Sequence, residues 1–145
     1  MTTGRDHSAY DNTPYCQRIE KPWGHELVFT PPDKPYAGKL LYIRAGHRLS
    51  LQFHDVKHET LVLLHGRAHL EVDGPEGELA TIEMQSGEGY SVAPGQRHRL
   101  VAISACELAE SSTPETGTTY RLEDDAGRCN ETGAVRQSPN RGWRA

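Results

Sequence analysis

An all-β fold, a sandwich or a closed barrel, is what this sequence predicts, and three observations predict it. Short runs rich in Val, Ile, Leu and Tyr recur along the chain. Gly, Pro, Asp or Ser punctuates the gaps between them, and no stretch keeps a helical period over a dozen residues. Many short strands at regular spacing must dispose of their sheet edges, which sandwiches and closed barrels do. At 145 residues the chain suffices for one domain with a real core.

Taken in order, the expected strands are "HELVFT", "KLLYIRA", "LSLQFH", "TLVLLH", "AHLEVDG", "LATIEM", "GYSVAP", "HRLVAIS" and "ELAESST". The segment "GRAHLEVDGPEGELATIEM" reads as a strand, a tight turn at Asp73-Gly74-Pro75 and a returning strand. Residues 1–18 and 129–145 are polar and rich in Gly, Asn, Arg and Ser, so they read as an N-terminal arm and a C-terminal tail around a barrel of residues 19–128. Trp143 is unusual in such a tail and is a candidate pin onto the barrel or a partner subunit.

Sixteen Lys and Arg against twenty Asp and Glu leave a net charge of −4 with both signs interspersed. No basic stripe interleaved with aromatics is present, which argues against nucleic acid and anionic membranes as partners. No apolar run is long enough to span a bilayer, and "MTTGRDHSAYDNTPYCQ" carries no signal-peptide core, so the expected compartment is the cytoplasm. Cys16, Cys106 and Cys129 are odd in number and far apart, which speaks against a disulfide framework or a thiolate zinc site. Cys106, within "VAISACELAE", reads as a small buried apolar residue.

Half of the eight histidines fall in "GHRLSLQFHDVKHETLVLLHG". Side chains alternate along a strand, so Ser50, Gln52 and His54 share one face while Leu49, Leu51 and Phe53 share the other. After Asp55–His58 the next strand puts Glu59, Leu61 and Leu63 together. If the two strands pair as a hairpin, Gln52, His54 and Glu59 face inward at one end of the barrel, and His98 joins them from a later strand. Two imidazoles, a carboxylate and an amide oxygen form a mixed N/O set suited to a borderline divalent ion such as Zn, Fe, Mn, Ni or Cu. Without a metal, an interior His and Glu would need other partners.

The spacing also carries a family resemblance. From Gly46 the chain reads Gly, five residues, Gln52, one residue, His54, four residues, Glu59, six residues, Gly66. This resembles the first cupin motif, with Gln52 at the usual first histidine. From Gly87 it reads Gly, five residues, Ala93, one residue, Gly95, two residues, His98, which resembles the second motif with its proline displaced to Pro94 and Ala102 at its terminal asparagine. Within the cupins, "KPWGHE", "LSLQFH", "GQRHRL" and "YRLEDDAGR" are similar to the cupin domain of type II mannose-6-phosphate isomerases. The resemblance implies a single jelly-roll β-barrel, Gln52, His54, Glu59 and His98 as ligands of one divalent ion, zinc first and Mn, Ni or Fe after it, and Arg121 as an active-site cation. Two departures touch substrate recognition: Asp55-Val56-Lys57-His58 stands in the family's His-rich stretch, and Thr60 replaces a histidine.

Around the metal set, His58, Lys57 and Tyr90 are candidate acid or base groups, and Arg121 either clamps an anion or pairs with Glu123 or Asp124. His47, His65 and His69 read as exposed, and Trp23 as a barrel plug. The leading expectation is a sugar or sugar-phosphate isomerase acting on a small polar metabolite. Two alternatives stand beside it: a metallocupin of specialised biosynthesis, performing oxygenation or bond formation (N–N included) on an amino-acid-like substrate, and a non-catalytic ligand-binding cupin. Val62 and Leu64 lie opposite the ligand face yet are apolar, so they need cover, and a homodimer is expected.

Overall fold

The computed structural model describes residues 4–144. Eleven strands run in the order β1 (Gln17–Lys21), β2 (Gly24–Val28), β3 (Ala37–Ile43), β4 (Leu51–His54), β5 (Glu59–His65), β6 (Ala68–Asp73), β7 (Leu79–Glu83), β8 (Gly89–Val92), β9 (His98–Ala102), β10 (Cys106–Ser112) and β11 (Thr119–Glu123). They form a six-stranded sheet, β1-β2-β3-β10-β5-β8, and a five-stranded sheet, β11-β4-β9-β6-β7. Every named pairing is antiparallel. The two sheets face each other as a jelly roll that is not strictly closed, so the all-β expectation holds.

All nine expected strands are present, and two more, β1 and β11, join them at sheet edges. The hairpin β6–β7 forms as read, although its connection runs through five residues, with Gly77 at φ +82° completing the turn. The expected β4–β5 hairpin does not form. β4 lies between β11 and β9 while β5 lies between β10 and β8, so Asp55–His58 crosses from one sheet to the other. Short connections usually join sequential neighbours in one sheet. Here the link crosses the barrel, which aims the inner faces of β4 and β5 at each other.

Inner-facing residues separate into two regions. Trp23, Leu41, Ile43, Leu61, Leu63 and Leu108 are among those that build an apolar core at one end, where Trp23 is 3% exposed, as its plug role requires. Gly24, next to it, is obligatory: a Cβ there would sit 1.9 Å from the Tyr42 carbonyl oxygen of β3. Toward the other end the inward positions are charged. Lys21 of β1, Glu26 of β2, Lys39 of β3 and Glu110 of β10 are all buried. On the outer face of the six-stranded sheet Val62 and Leu64 are half-buried.

The polar tail differs from its expectation. Glu131 pairs with Thr119 through two backbone hydrogen bonds of 2.9 Å, and the chain continues through α1 (Gly133–Arg136) and a 3-10 turn at Pro139–Gly142. Trp143 is half-buried. The segment folds back because its partners are buried charges, which composition alone does not reveal. The N-terminal arm from Gly4 to Cys16 is almost wholly exposed. Among the described residues no helix is long and apolar enough to cross a membrane, and all three cysteines are free. Burial pushes the Cys106 thiol up to about 11, which suits an inert packed residue.

Candidate metal centre

Three strands from two sheets build the site. β4 carries Gln52 and His54, β9 places His98 directly opposite Gln52, and β5 brings Glu59 from the facing sheet. The turn before β9 is tied to β4, since the Gly95 N–H donates to the His54 carbonyl at 2.7 Å. One ligating atom each from His54, Glu59 and His98 lies within 4.8 Å of the other two. Glu59 Oε1 is 3.5 Å from His54 Nε2 and 2.8 Å from His98 Nε2.

Neither Nε2 has a hydrogen-bond partner of acceptable geometry, although both are fully buried. Buried orphan acceptors are rare in native proteins and call for an explanation. The ring orientations supply it. His54 Nδ1 lies 2.8 Å from Thr119 Oγ1 and His98 Nδ1 lies 3.0 Å from the Gln96 carbonyl. A proton on each Nδ1 leaves both Nε2 lone pairs directed at the point Glu59 Oε1 also faces, as metal-bound imidazoles are usually held. Gln52 lines the same cavity, with Oε1 accepting from the buried Ser50 hydroxyl at 2.8 Å. The donor set therefore fits a divalent ion, with zinc, manganese, nickel and iron all compatible. Replacing Thr119 with valine is expected to lower metal affinity roughly 10–100-fold, the usual effect of losing such a partner, while leaving the fold intact. Competition against a chromophoric chelator measures it.

Burial and neighbouring charges set the protonation states of these side chains. Burial lowers the His54 pKa, against the attraction of Glu59, so its ring stays neutral. Burial opposes the charge on Glu59, but Lys57 beside it overcomes this and holds the carboxyl well below its ordinary range. Lys57 Nζ sits 3.3 Å from Glu59 Oε2, 2.9 Å from Glu110 and 3.6 Å from Glu115. Burial opposes its charge too, yet these three carboxylates hold its pKa well above normal. Lys57 thus stays an ammonium and serves as the clamp on the second oxygen of Glu59, which a general base could not do.

The other sequence candidates divide. Arg121 lines the cavity, but its partners are Glu131 at 3.1 Å and the Cys129 carbonyl at 2.6 Å; Asp124 is taken by Arg128 and Glu123 by Arg99. Its buried Nε has no partner. His58 is exposed, with its backbone bonded to Thr113, and lies outside the cavity. It follows the inward Lys57 and precedes the inward Glu59, so alternation turns it away. Tyr90 packs on the apolar core, and its hydroxyl accepts from the Gln85 N–H at 2.7 Å, so it also stays outside the metal cavity. His47 and His65 are exposed, and His69 is half-buried away from the site.

The cavity itself is about 60 Å³. Five glutamates line it: Glu26, Glu59, Glu110, Glu115 and Glu131. Lys21, Lys39, Lys57, Arg99, Arg121, Arg128 and Arg141 line it beside them. Most of these residues carry no motif, but Glu110 alternates with Leu108 and Cys106 on β10 and could have been placed inward on that ground. Burial raises Glu110 despite Lys57 beside it. Glu131 goes the other way: burial works against its charge, and Lys21 with Arg141 brings it from 4.5 to about 2. Its folded-state pKa is depressed, so its contribution of about 3 kcal/mol is present above the unfolded carboxylate pKa and is lost as pH falls through about 2. The stability gap between the protein and Glu131→Gln is expected to be widest near neutrality and to shrink between about pH 4.5 and pH 2, read by urea unfolding at stepped pH.

A family model described as mannose-6-phosphate isomerase C-terminal matches residues 8–131. The chain belongs to this cupin family. No curated protein sequence matches it. Among solved structures, oxalate decarboxylase from Bacillus subtilis at pH 4.6 superimposes with a TM-score of 0.67 at 17% identity, covering 81% of this chain and 34% of that one. A tryptophan variant of the same enzyme gives 0.63 at 16% identity over 75% and 31%. A formate complex of oxalate decarboxylase from Lactobacillus farciminis gives 0.67 at 19% identity over 81% and 38%. The chain spans about a third of the length of these proteins, and at such identity the likeness is one of fold. In this family member the cupin fold and the His-His-Glu cluster coincide, with the residues of the two motifs carried by β4, β5 and β9.

Proposed function

We propose that the chain is a divalent-metal-dependent enzyme acting on a small polar metabolite, with isomerisation of a sugar or sugar phosphate as its reaction. The convergence of His54, Glu59 and His98, with both Nε2 atoms buried and unpartnered, carries this reading; the family match supplies the isomerase part. A bound divalent ion would polarise a carbonyl and its neighbouring hydroxyl as a Lewis acid. Gln52, His54, Glu59 and His98 hold that ion, zinc first. Lys57 fixes the Glu59 carboxylate, and the unpartnered Arg121 Nε–H is a donor left for a substrate oxygen. His54, Lys57, Glu59 and His98 are all buried, which strengthens each of these contacts.

One observation favours a second reading, a biosynthetic metallocupin handling an amino-acid-like metabolite. The cavity of about 60 Å³ is far smaller than a drug-sized pocket, and each of its seven lysines and arginines is already paired with a carboxylate. That leaves no free basic cluster for a sugar phosphate. Elemental analysis of the purified protein, followed by assays of aldose–ketose interconversion on free and phosphorylated hexoses with Zn, Mn, Ni or Fe(II), separates the two. Turnover with Zn or Mn supports isomerisation. A requirement for Fe(II) and oxygen overturns it in favour of the second reading, and a protein that binds no metal sinks both. The same reading has the protein as a homodimer, which light scattering tests.

A further inference from the structure

The family match ends at residue 131, yet the wall of the metal cavity includes Arg141. Residues 132–143 thus lie beyond the matched span and reach into the site through Arg141. Their attachments are polar. Arg136 donates to the Gly117 carbonyl at 2.8 Å and to Glu131 at 3.1 Å, Arg141 Nη1 donates to Glu131 at 3.1 Å and pairs with Glu115, and Asn140 Oδ1 accepts from the Glu20 N–H at 3.1 Å. Neither α1 nor the 3-10 turn buries a residue. Asn140 and Arg141 both hold left-handed backbones, at φ 47° and 52°, a strained pair for non-glycine residues. A segment with no buried apolar residue and a strained turn at its far end belongs to the less stable parts of a fold.

Charge decides when it stays down. In the cavity wall five glutamates face seven lysines and arginines, two of which, Arg99 and Arg128, pair with Glu123 and Asp124 outside it, and Arg136 adds a further positive charge close by. A divalent ion adds two more in an enclosed space, where uncompensated charge is costly. Either the guanidiniums of the segment leave, or an anion enters.

We propose that residues 132–143 are a lid on the metal cavity, latched by Arg141, which closes over an anionic, oxygen-bearing ligand of the metal centre and limits its size. This rests on the metal-enzyme reading above. Loading the ion loosens the lid, and the anion draws it back. A carboxylate and a phosphate share the required chemistry.

Tryptic cleavage after Arg136, followed by mass spectrometry, reads the lid directly. It is measured on the apo protein, on the zinc-loaded protein, and with malonate, inorganic phosphate or neutral malonamide added. Zinc is expected to speed cleavage at least threefold, and malonate or phosphate to slow it at least tenfold, with malonamide without effect. Protection by malonate alone assigns a carboxylate, and by phosphate alone a phosphate. Arg141→Gln is expected to weaken anion binding at least tenfold with zinc stoichiometry unchanged. Arg141→Lys, which keeps the charge if the glutamine variant fails to fold, is expected to stay within threefold of the parent. Zinc bound without protection by either anion overturns the lid alone, as does protection by malonamide equal to malonate. A protein that retains no zinc overturns the metal-enzyme reading and the lid with it.

Discussion

Lys57→Met is expected to lower stability by about 3–5 kcal/mol, the usual result of removing one partner from a buried ionic group. Lys57 is 6% exposed and lies within 3.6 Å of three carboxylates. Methionine fills similar space, so the loss is electrostatic: Glu59, Glu110 and Glu115 are left to repel one another. Urea unfolding at neutral pH measures it through the shift in midpoint. Adding Glu110→Gln to the variant is expected to recover part of the loss, because the two residues share one network and their effects do not add. Recovery of nothing would show that Lys57 acts through packing of its stem. The single variant should also bind metal more weakly, since Glu59 loses the contact that fixes its second oxygen.

Removing a ligand has the larger effect on the site. His98→Ala is expected to reduce metal affinity at least about 100-fold, beyond the range seen for partners of ligands. His98 is 2% exposed, and its Nδ1 contact leaves Nε2 no other task. Zinc at a thousand times its dissociation constant stabilises a protein by about 4 kcal/mol. A rise in melting temperature on adding zinc should therefore appear in the parent and vanish in His98→Ala. A zinc-dependent rise of equal size in both would exclude the centre. Gln52→Ala is expected to do less, because a neutral amide contributes less than an imidazole.

The convergence of the candidate cluster is legible because spacing and alternation agree. Gln52 and His54 are two apart on one strand, and the motif distances bring Glu59 and His98 to the same end. The crossing from β4 to β5 was hidden, since four residues serve a hairpin as readily as a change of sheet. β1 and β11 were harder to see. Ile19 alternates with Lys21 on the inner face of β1, so a search for apolar alternation meets charge where it expects an aliphatic residue. The same cause concealed Glu26 and Lys39. The way the tail attaches is not legible for a related reason: Arg136 and Arg141 look like solvent-facing residues until Glu115 and Glu131 are known to be buried. Sequence pattern reports an apolar interior well and an ionic one poorly.

That ionic interior has a consequence for how the protein changes over generations. In an oily core a leucine drifts to methionine or isoleucine at small cost. Around this cavity a single change of charge strands its partners, so neutral drift is nearly closed to Lys39 and Glu26, which face each other at 3.4 Å on β3 and β2. Substitutions there should appear in pairs of opposite sign, or as a simultaneous exchange of both partners for apolar residues. The strands beside the cavity are therefore expected to vary together among relatives, while the apolar end varies one residue at a time.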